Sequence, residues 1–190
     1  MIAPNTLLTI PGWNGSGPTH WQSIWEARST RFRRVEQRDW QQPSRREWID
    51  AIDSAVANAA APVILVAHSL GCIAVAHWAA SRDVAAVASA LLVAPPWLHD
   101  SALCPQELRS FLPAPNSRLP FPSILVASEN DPYLPIDLAS RLAQSWGSEF
   151  VNVGLQGHIN VASGHGPWPA GERILERLCE SAAAPSHTTA

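Results

Sequence analysis

The stretch Val63-Ile64-Leu65-Val66-Ala67-His68-Ser69-Leu70-Gly71 decides how this chain folds. Its first four residues are apolar and mostly β-branched, the pattern of a buried strand. They run without a break into a small-x-Ser-x-small pattern, Ala67 to Gly71, and an Ala-, Ile- and Val-rich helical pattern follows from Cys72 to Ala80. A serine in such a strand-to-helix turn stands above the sheet edge with its hydroxyl exposed. Its neighbours must be small because helix and strand pass too close for larger side chains. Ala67 takes the position where glycine is usual and still meets the size requirement. The turn also aims the helix N-terminus at the serine, so the Leu70 N–H is placed to bind an oxyanion. An ordinary βα turn whose serine merely caps its helix would read the same way. The rest of the chain has to decide between the two.

On either side of this stretch, short apolar runs alternate with helical patterns. Thr6 to Ile10 reads as a strand ended by Pro11-Gly12, and a helix starting near Thr19 carries Trp21, Ile24 and Trp25. Phe32 to Glu36 is a candidate second strand. Ser44 is placed as an N-cap for a helix with Trp48, Ile49, Ile52 and Val56 at helical spacing. Downstream, Val84–Val93, Ser123–Ser128 and Phe150–Val153 read as strands, while Pro135–Trp146 and Gly171–Leu178 read as helices. Strands alternating with helices imply right-handed βαβ units and a mostly parallel sheet of about six strands, helices covering both faces. Trp97 to Pro122 breaks the rhythm. It is Pro-rich, with one short helical turn around Gln106 to Phe111, and fits either a lid or a plain surface loop. Residues 1–180 are expected to form one domain, with 181–190 a small, polar tail.

Composition narrows the function. The 190-residue chain is 46% hydrophobic and 15% charged, which is globular, and no apolar run is long enough to span a bilayer. A net charge of −3 gives no general attraction for nucleic acid. All 13 basic residues are Arg, so lysine Schiff bases and lysine general bases are out. Cys72, Cys104 and Cys179 are odd in number and lack metal-ligand spacing. No histidine pair has that spacing either, so neither a metal nor another cofactor is expected. Free thiols and the lack of a basic stretch before the first apolar residues point to a cytoplasmic protein without a signal peptide. Nothing here reads out the oligomeric state.

In open parallel sheets, ligands bind beyond the C-terminal ends of the strands. Three residues of catalytic type fall there, each after a different strand: Ser69, then Asp131 in Ser128-Glu129-Asn130-Asp131-Pro132-Tyr133, then His158 in Gly157-His158-Ile159-Asn160. A carboxylate orienting a histidine, which in turn deprotonates a serine, is the arrangement for acyl transfer. The chain order nucleophile, acid, histidine is that of the α/β-hydrolases. The plainer role open to Asp131 is to cap the helix that follows it. Glu129 and Asp137 are weaker candidates for the acid, and Asp100 is the reserve. His165 is the rival base. His68 flanks the nucleophile and is expected to point away from the base. His20, His77, His99 and His187 are read as surface or capping residues.

The second oxyanion donor should come from the loop after an early strand. That loop is Pro11-Gly12-Trp13-Asn14, and the Trp13 N–H is the candidate, with Asn14 next. Gly12 would let backbone approach the reacting carbon. Trp13, Trp97 and Trp168 are expected in loops on this face, where with Gly12 and Asn14 they would line an apolar acyl pocket. Trp25, Trp48, Trp78 and Trp146 are read as core.

Several motifs together resemble one known group: Pro11-Gly12-Trp13, Gly15-Ser16, His20-Trp21-Gln22 with Trp25, His68-Ser69-Leu70-Gly71, Asp131-Pro132-Tyr133, and Gly157-His158-Ile159-Asn160 with Ser163-Gly164, Gly166, Trp168-Pro169 and Gly171. They are similar to the small serine α/β-hydrolases related to retinoblastoma-binding protein nine, over almost the entire chain. The resemblance implies a minimal α/β-hydrolase with a Ser69–Asp131–His158 triad and no particular substrate. The chain has no Leu-x-Cys-x-Glu motif, so a retinoblastoma-binding role is not carried over. The expectation is a serine hydrolase acting on a small-molecule, ester-like acyl substrate, with no nucleic acid or membrane partner. A binding protein that kept the fold without turnover, and an acyltransferase or thioesterase on the same triad, are the alternatives.

Overall fold

The computed structural model describes residues 6–98 and 104–183. Its strands are β1 (Thr6–Ile10), β2 (Phe32–Arg34), β3 (Val63–His68), β4 (Val87–Val93), β5 (Ser123–Ala127) and β6 (Glu149–Asn152). The helices are α1 (Trp21–Arg28), α2 (Arg45–Ala57), α3 (Leu70–Ala79), α4 (Ile136–Trp146) and α5 (Pro169–Ala183). The strands make one sheet in the order β2-β1-β3-β4-β5-β6, and every neighbouring pair is parallel.

Period-two alternation along the strands divides the core. Val63, Leu65 and Ala67 of β3, with Ala90 and Leu92 of β4, pack under α2, α3 and α4. Ile64 and Val66, with Leu91 and Val93, face the other way, where Trp21 and Trp25 of α1 and Leu175 and Leu178 of α5 cover them. A strand buried on both faces has no polar position to spare, hence the unbroken apolar run of β3. The chain steps outward from β1 to β2 and then returns to place β3 on the other side of β1. That reversal opens a crevice beyond the C-terminal ends of β1 and β3. The Pro11–Gly17 loop and Ser69 both lie there.

Element boundaries moved by a few residues. β2 ends at Arg34, two residues short of the expected Glu36, and Ser44 caps α2 by position without a side-chain hydrogen bond. α5 runs to Ala183, so residues 181–183 continue a helix where a tail was expected. The described part of the irregular segment is packed down on one side and lines the crevice on the other through Trp97, Leu98, Pro105 and Leu108. Leu108, Phe111, Ala114, Leu119 and Phe121 are buried against the α2–α4 side. The Trp146 Nε1–H donates to the Pro115 carbonyl at 2.8 Å, and His77 Nε2 bonds the Phe111 carbonyl at 2.9 Å. Residues 99–103, with His99 and Asp100, and the tail with His187 lie outside the described residues. No helix among the described residues is long and apolar enough to cross a membrane.

Candidate active site

Ser69 joins β3 to α3 with φ 53° and ψ −125°, a left-handed conformation that a residue with a Cβ adopts only when its surroundings impose it. Its N–H donates to Val93 on the neighbouring strand at 2.9 Å, and its carbonyl accepts from the Cys72 N–H at 2.9 Å. Two glycines make the turn possible. A Cβ on Gly71 would collide with the Ile10 and Pro11 carbonyl oxygens, and one on Gly12 would lie 2.7 Å from the Ser69 Cβ. The small residues of the motif thus let α3 and the β1 loop close on the serine from both sides.

The three sequence-predicted residues meet in one chain of hydrogen bonds. His158 Nε2 is 2.9 Å from Ser69 Oγ, and His158 Nδ1 is 2.9 and 3.1 Å from the two Asp131 oxygens. Nδ1 faces only a carboxylate, so it carries the ring proton in the neutral tautomer and Nε2 accepts from the serine hydroxyl. The Asp131 and His158 side chains are 2% and 8% exposed, so solvent screens their attraction little. Asp131 also accepts the Tyr133 N–H at 2.9 Å within its own loop, and it does not cap α4, whose N-cap position is Pro135. The rivals lie elsewhere. Exposed Glu129 accepts from Asn152, Asp137 is in the first turn of α4, and His165 bonds Gln156 at 3.0 Å and Ser163 at 3.3 Å.

Of the two proposed donors at the β1 loop, Asn14 is spoken for: its N–H donates to the Trp40 carbonyl at 2.9 Å. The Trp13 N–H has no such partner among the described residues, and Leu70 opens α3, where helix N–H groups lack intrahelical acceptors. Gly12, Trp13, Asn14, Leu70 and Trp97 all line a cleft of about 850 Å³ around Ser69 and His158. Pro96, Leu98, Pro105, Leu108, Pro135 and Leu138 form an apolar wall, and no Arg, Asp or Glu is among the described lining residues.

Trp168 is a correction. It is buried in the core, stacked on Trp25 at 6.0 Å and 5° and packed against Trp21, and it does not line the cleft. The ring sits where a Cβ of Gly171 would be, so Trp168-Pro169-x-Gly171 is a packing motif that seats α5 on the sheet.

His68 is a second correction. Along β3 it shares a face with Ile64 and Val66, the face over which the β6–α5 loop returns. Its ring lies 5.0 Å from that of His158, and its Nε2 is 3.0 Å from the His158 carbonyl. His20 caps α1 as read, its Nδ1 accepting the Gln22 N–H, yet it is buried and stands 4.9 Å from His68. Burial lowers His20 to about 4, with Arg34 and the neighbouring histidines adding to the effect, and burial likewise holds His68 well below the ordinary range. Sequence reasoning also missed Asn130, whose Oδ1 accepts the Gly157 N–H at 2.7 Å, and Tyr133, whose ring meets that of His158 edge-on at 4.6 Å. Their place in the quoted motifs was the only signal.

A serine hydrolase family model matches residues 7–177. The chain belongs to the serine hydrolase family. The chain is similar to the crystal structure of a YdeN-like hydrolase from Pectobacterium atrosepticum, with 35% identity over 93% of this chain and 91% of that one and a TM-score of 0.82. The ydeN gene product from B. subtilis is 20% identical over 93% of this serine hydrolase and 99% of its own chain, with a TM-score of 0.75. A monoacylglycerol lipase from Paleococcus ferrophilus shares the fold at 13% identity, covering 92% and 93% of the two chains with a TM-score of 0.70. No curated protein matches the chain. The family and the parallel sheet with helices on both faces make the protein an α/β-fold serine hydrolase.

Proposed function

We propose that this serine hydrolase cleaves uncharged, ester-like acyl substrates through an acyl-enzyme on Ser69. The observation that carries the reading is the unbroken chain of hydrogen bonds from Ser69 Oγ through His158 to Asp131. His158 Nε2 takes the Ser69 proton as Oγ attacks the carbonyl carbon, and Asp131 stabilises the imidazolium that results. The Leu70 and Trp13 N–H groups hold the oxyanion. Collapse of the tetrahedral intermediate expels the alcohol, which receives the proton from His158. Water, activated by the same ring, then releases the acid. The apolar wall from Pro96 to Leu138 and the lack of charged lining residues favour an apolar acyl group over a charged one.

Membership in the group related to retinoblastoma-binding protein nine, and a cytoplasmic setting for the free thiols of Cys72, Cys104 and Cys179, are parts of the same reading. A fluorophosphonate probe should label the wild type and not Ser69→Ala, and p-nitrophenyl esters of graded chain length should then be turned over. Failure of both probe and esters on folded wild-type protein would leave the silent binding protein as the better account. Labelling with transfer to an added alcohol or thiol in place of water would favour the acyltransferase reading.

A further inference from the structure

We infer that His68 and Trp21 are positioning residues that clamp the loop bearing His158, each taking one of two consecutive backbone carbonyls with a ring N–H; the inference rests on His158 being the catalytic base. His68 Nε2 is 3.0 Å from the His158 carbonyl, and Trp21 Nε1 donates to the Ile159 carbonyl at 3.0 Å. A carbonyl only accepts, so His68 carries its proton on Nε2. Burial beside His158 and His20 keeps that ring uncharged.

The loop needs such a clamp. Ile159 is β-branched and sits at φ 48°, a region such residues enter only under constraint, and Gly157 two residues earlier has φ 56°. The bonds on the N-terminal side of the loop run toward the acid: Gln156 N–H to Ser128 Oγ at 2.9 Å and Gly157 N–H to Asn130 Oδ1 at 2.7 Å. Those ties hold His158 near Asp131. The ties to the carbonyls of His158 and Ile159 come from the last residue of β3, next to Ser69, and from the first residue of α1. The two rings touch at 5.9 Å, perpendicular to each other, and His20 packs on both, at 4.9 and 5.3 Å. The aromatic unit therefore sets the base relative to the nucleophile's own strand. The Asp131–His158 bond does not depend on it.

The test is steady-state kinetics on a soluble ester, normalised to sites titrated with a fluorophosphonate. Trp21→Phe keeps a smaller aromatic ring at this fully buried position and removes the donor. It should lower kcat about tenfold with KM within about twofold, because a small displacement of reacting groups costs rate before it costs binding. His68→Leu should lose about tenfold to a hundredfold in kcat, and His68→Gln, whose amide can donate to the same carbonyl, should recover most of it. Combining Trp21→Phe with His68→Leu should cost less than the product of the single effects, since both release one loop. Wild-type kcat in Trp21→Phe, or a His68→Gln variant no better than His68→Leu at equal thermal stability, would overturn the clamp. Ser69→Ala is assayed alongside. An active Ser69→Ala would remove the catalytic reading, whereas an inactive one beside an unaltered Trp21→Phe would remove only the clamp.

Discussion

The turn that carries Ser69 and the loop that carries His158 are built by opposite means. Ser69 ends a central strand, and main chain holds it: Val93 on one side, Cys72 on the other, and the Ile10 and Pro11 carbonyls behind Gly71. His158 follows β6, an edge strand with no fully buried residue, and side chains hold it: Asp131, Asn130, Ser128, His68 and Trp21. A nucleophile set by main chain leaves a local mark in the sequence, because close backbone approach demands small residues. A base set by side chains from three distant segments leaves no such steric mark. The expectation that follows is that the elbow is brittle toward volume and the base loop toward chemistry.

The largest effects should remove the chemistry from each region. Ser69→Ala should lower ester turnover by about four orders of magnitude or more with the fold retained, as triad members act as a unit. Circular dichroism with kcat/KM checks it, and retained activity would end the role of Ser69. On the other side, Asp131→Asn should cost about 10⁴ in kcat, the size seen for the same change in a serine protease. Asparagine can donate to Nδ1 and leave Nε2 carrying the proton, the wrong tautomer for a base. A nearly active variant would place the acid elsewhere.

Volume should separate the regions next. Gly71→Ala should destabilise the protein by about 2–3 kcal/mol although alanine favours helix, because its Cβ has only backbone oxygens to displace. At Gly164, in the loop that carries His158, a Cβ meets nothing within 4 Å, so Gly164→Ala should cost less stability, about 1–2 kcal/mol from its positive φ. Denaturant unfolding checks both, and equal costs would erase the distinction.

The last effect concerns pH and is spread over a range of conditions. His20 titrates near 4 in the fold and near 6.5 when unfolded, so between those values the unfolded chain binds the extra proton. Stability from this residue is complete above about pH 6.5 and is lost as pH falls toward 4, by about 3 kcal/mol at most; His68 acts in the same direction. The melting temperature should therefore drop less between pH 7 and pH 5 in His20→Asn than in the wild type. Parallel drops would mean the imidazole is not kept neutral by burial.

Much of this protein could be read before any coordinates. The apolar run of β3, the small residues around Ser69 and the placement of Asp131 and His158 just after later strands are local features, and local sterics and strand periodicity suffice to read them. Trp168 and His68 show where that reading stops. Both stand near the motifs, yet one is core and the other touches the base, because the layer covering a residue is set by how α1, α5 and the β6–α5 loop pack across the sheet. The same holds for the Asn14 N–H, taken by Trp40 from a separate loop. Sequence alone determined the residue types, their order and the strand ends that carry them. Only tertiary structure decided which hydrogen-bond donors remain free and which rings face the cleft, because those follow from contacts between segments far apart in the chain.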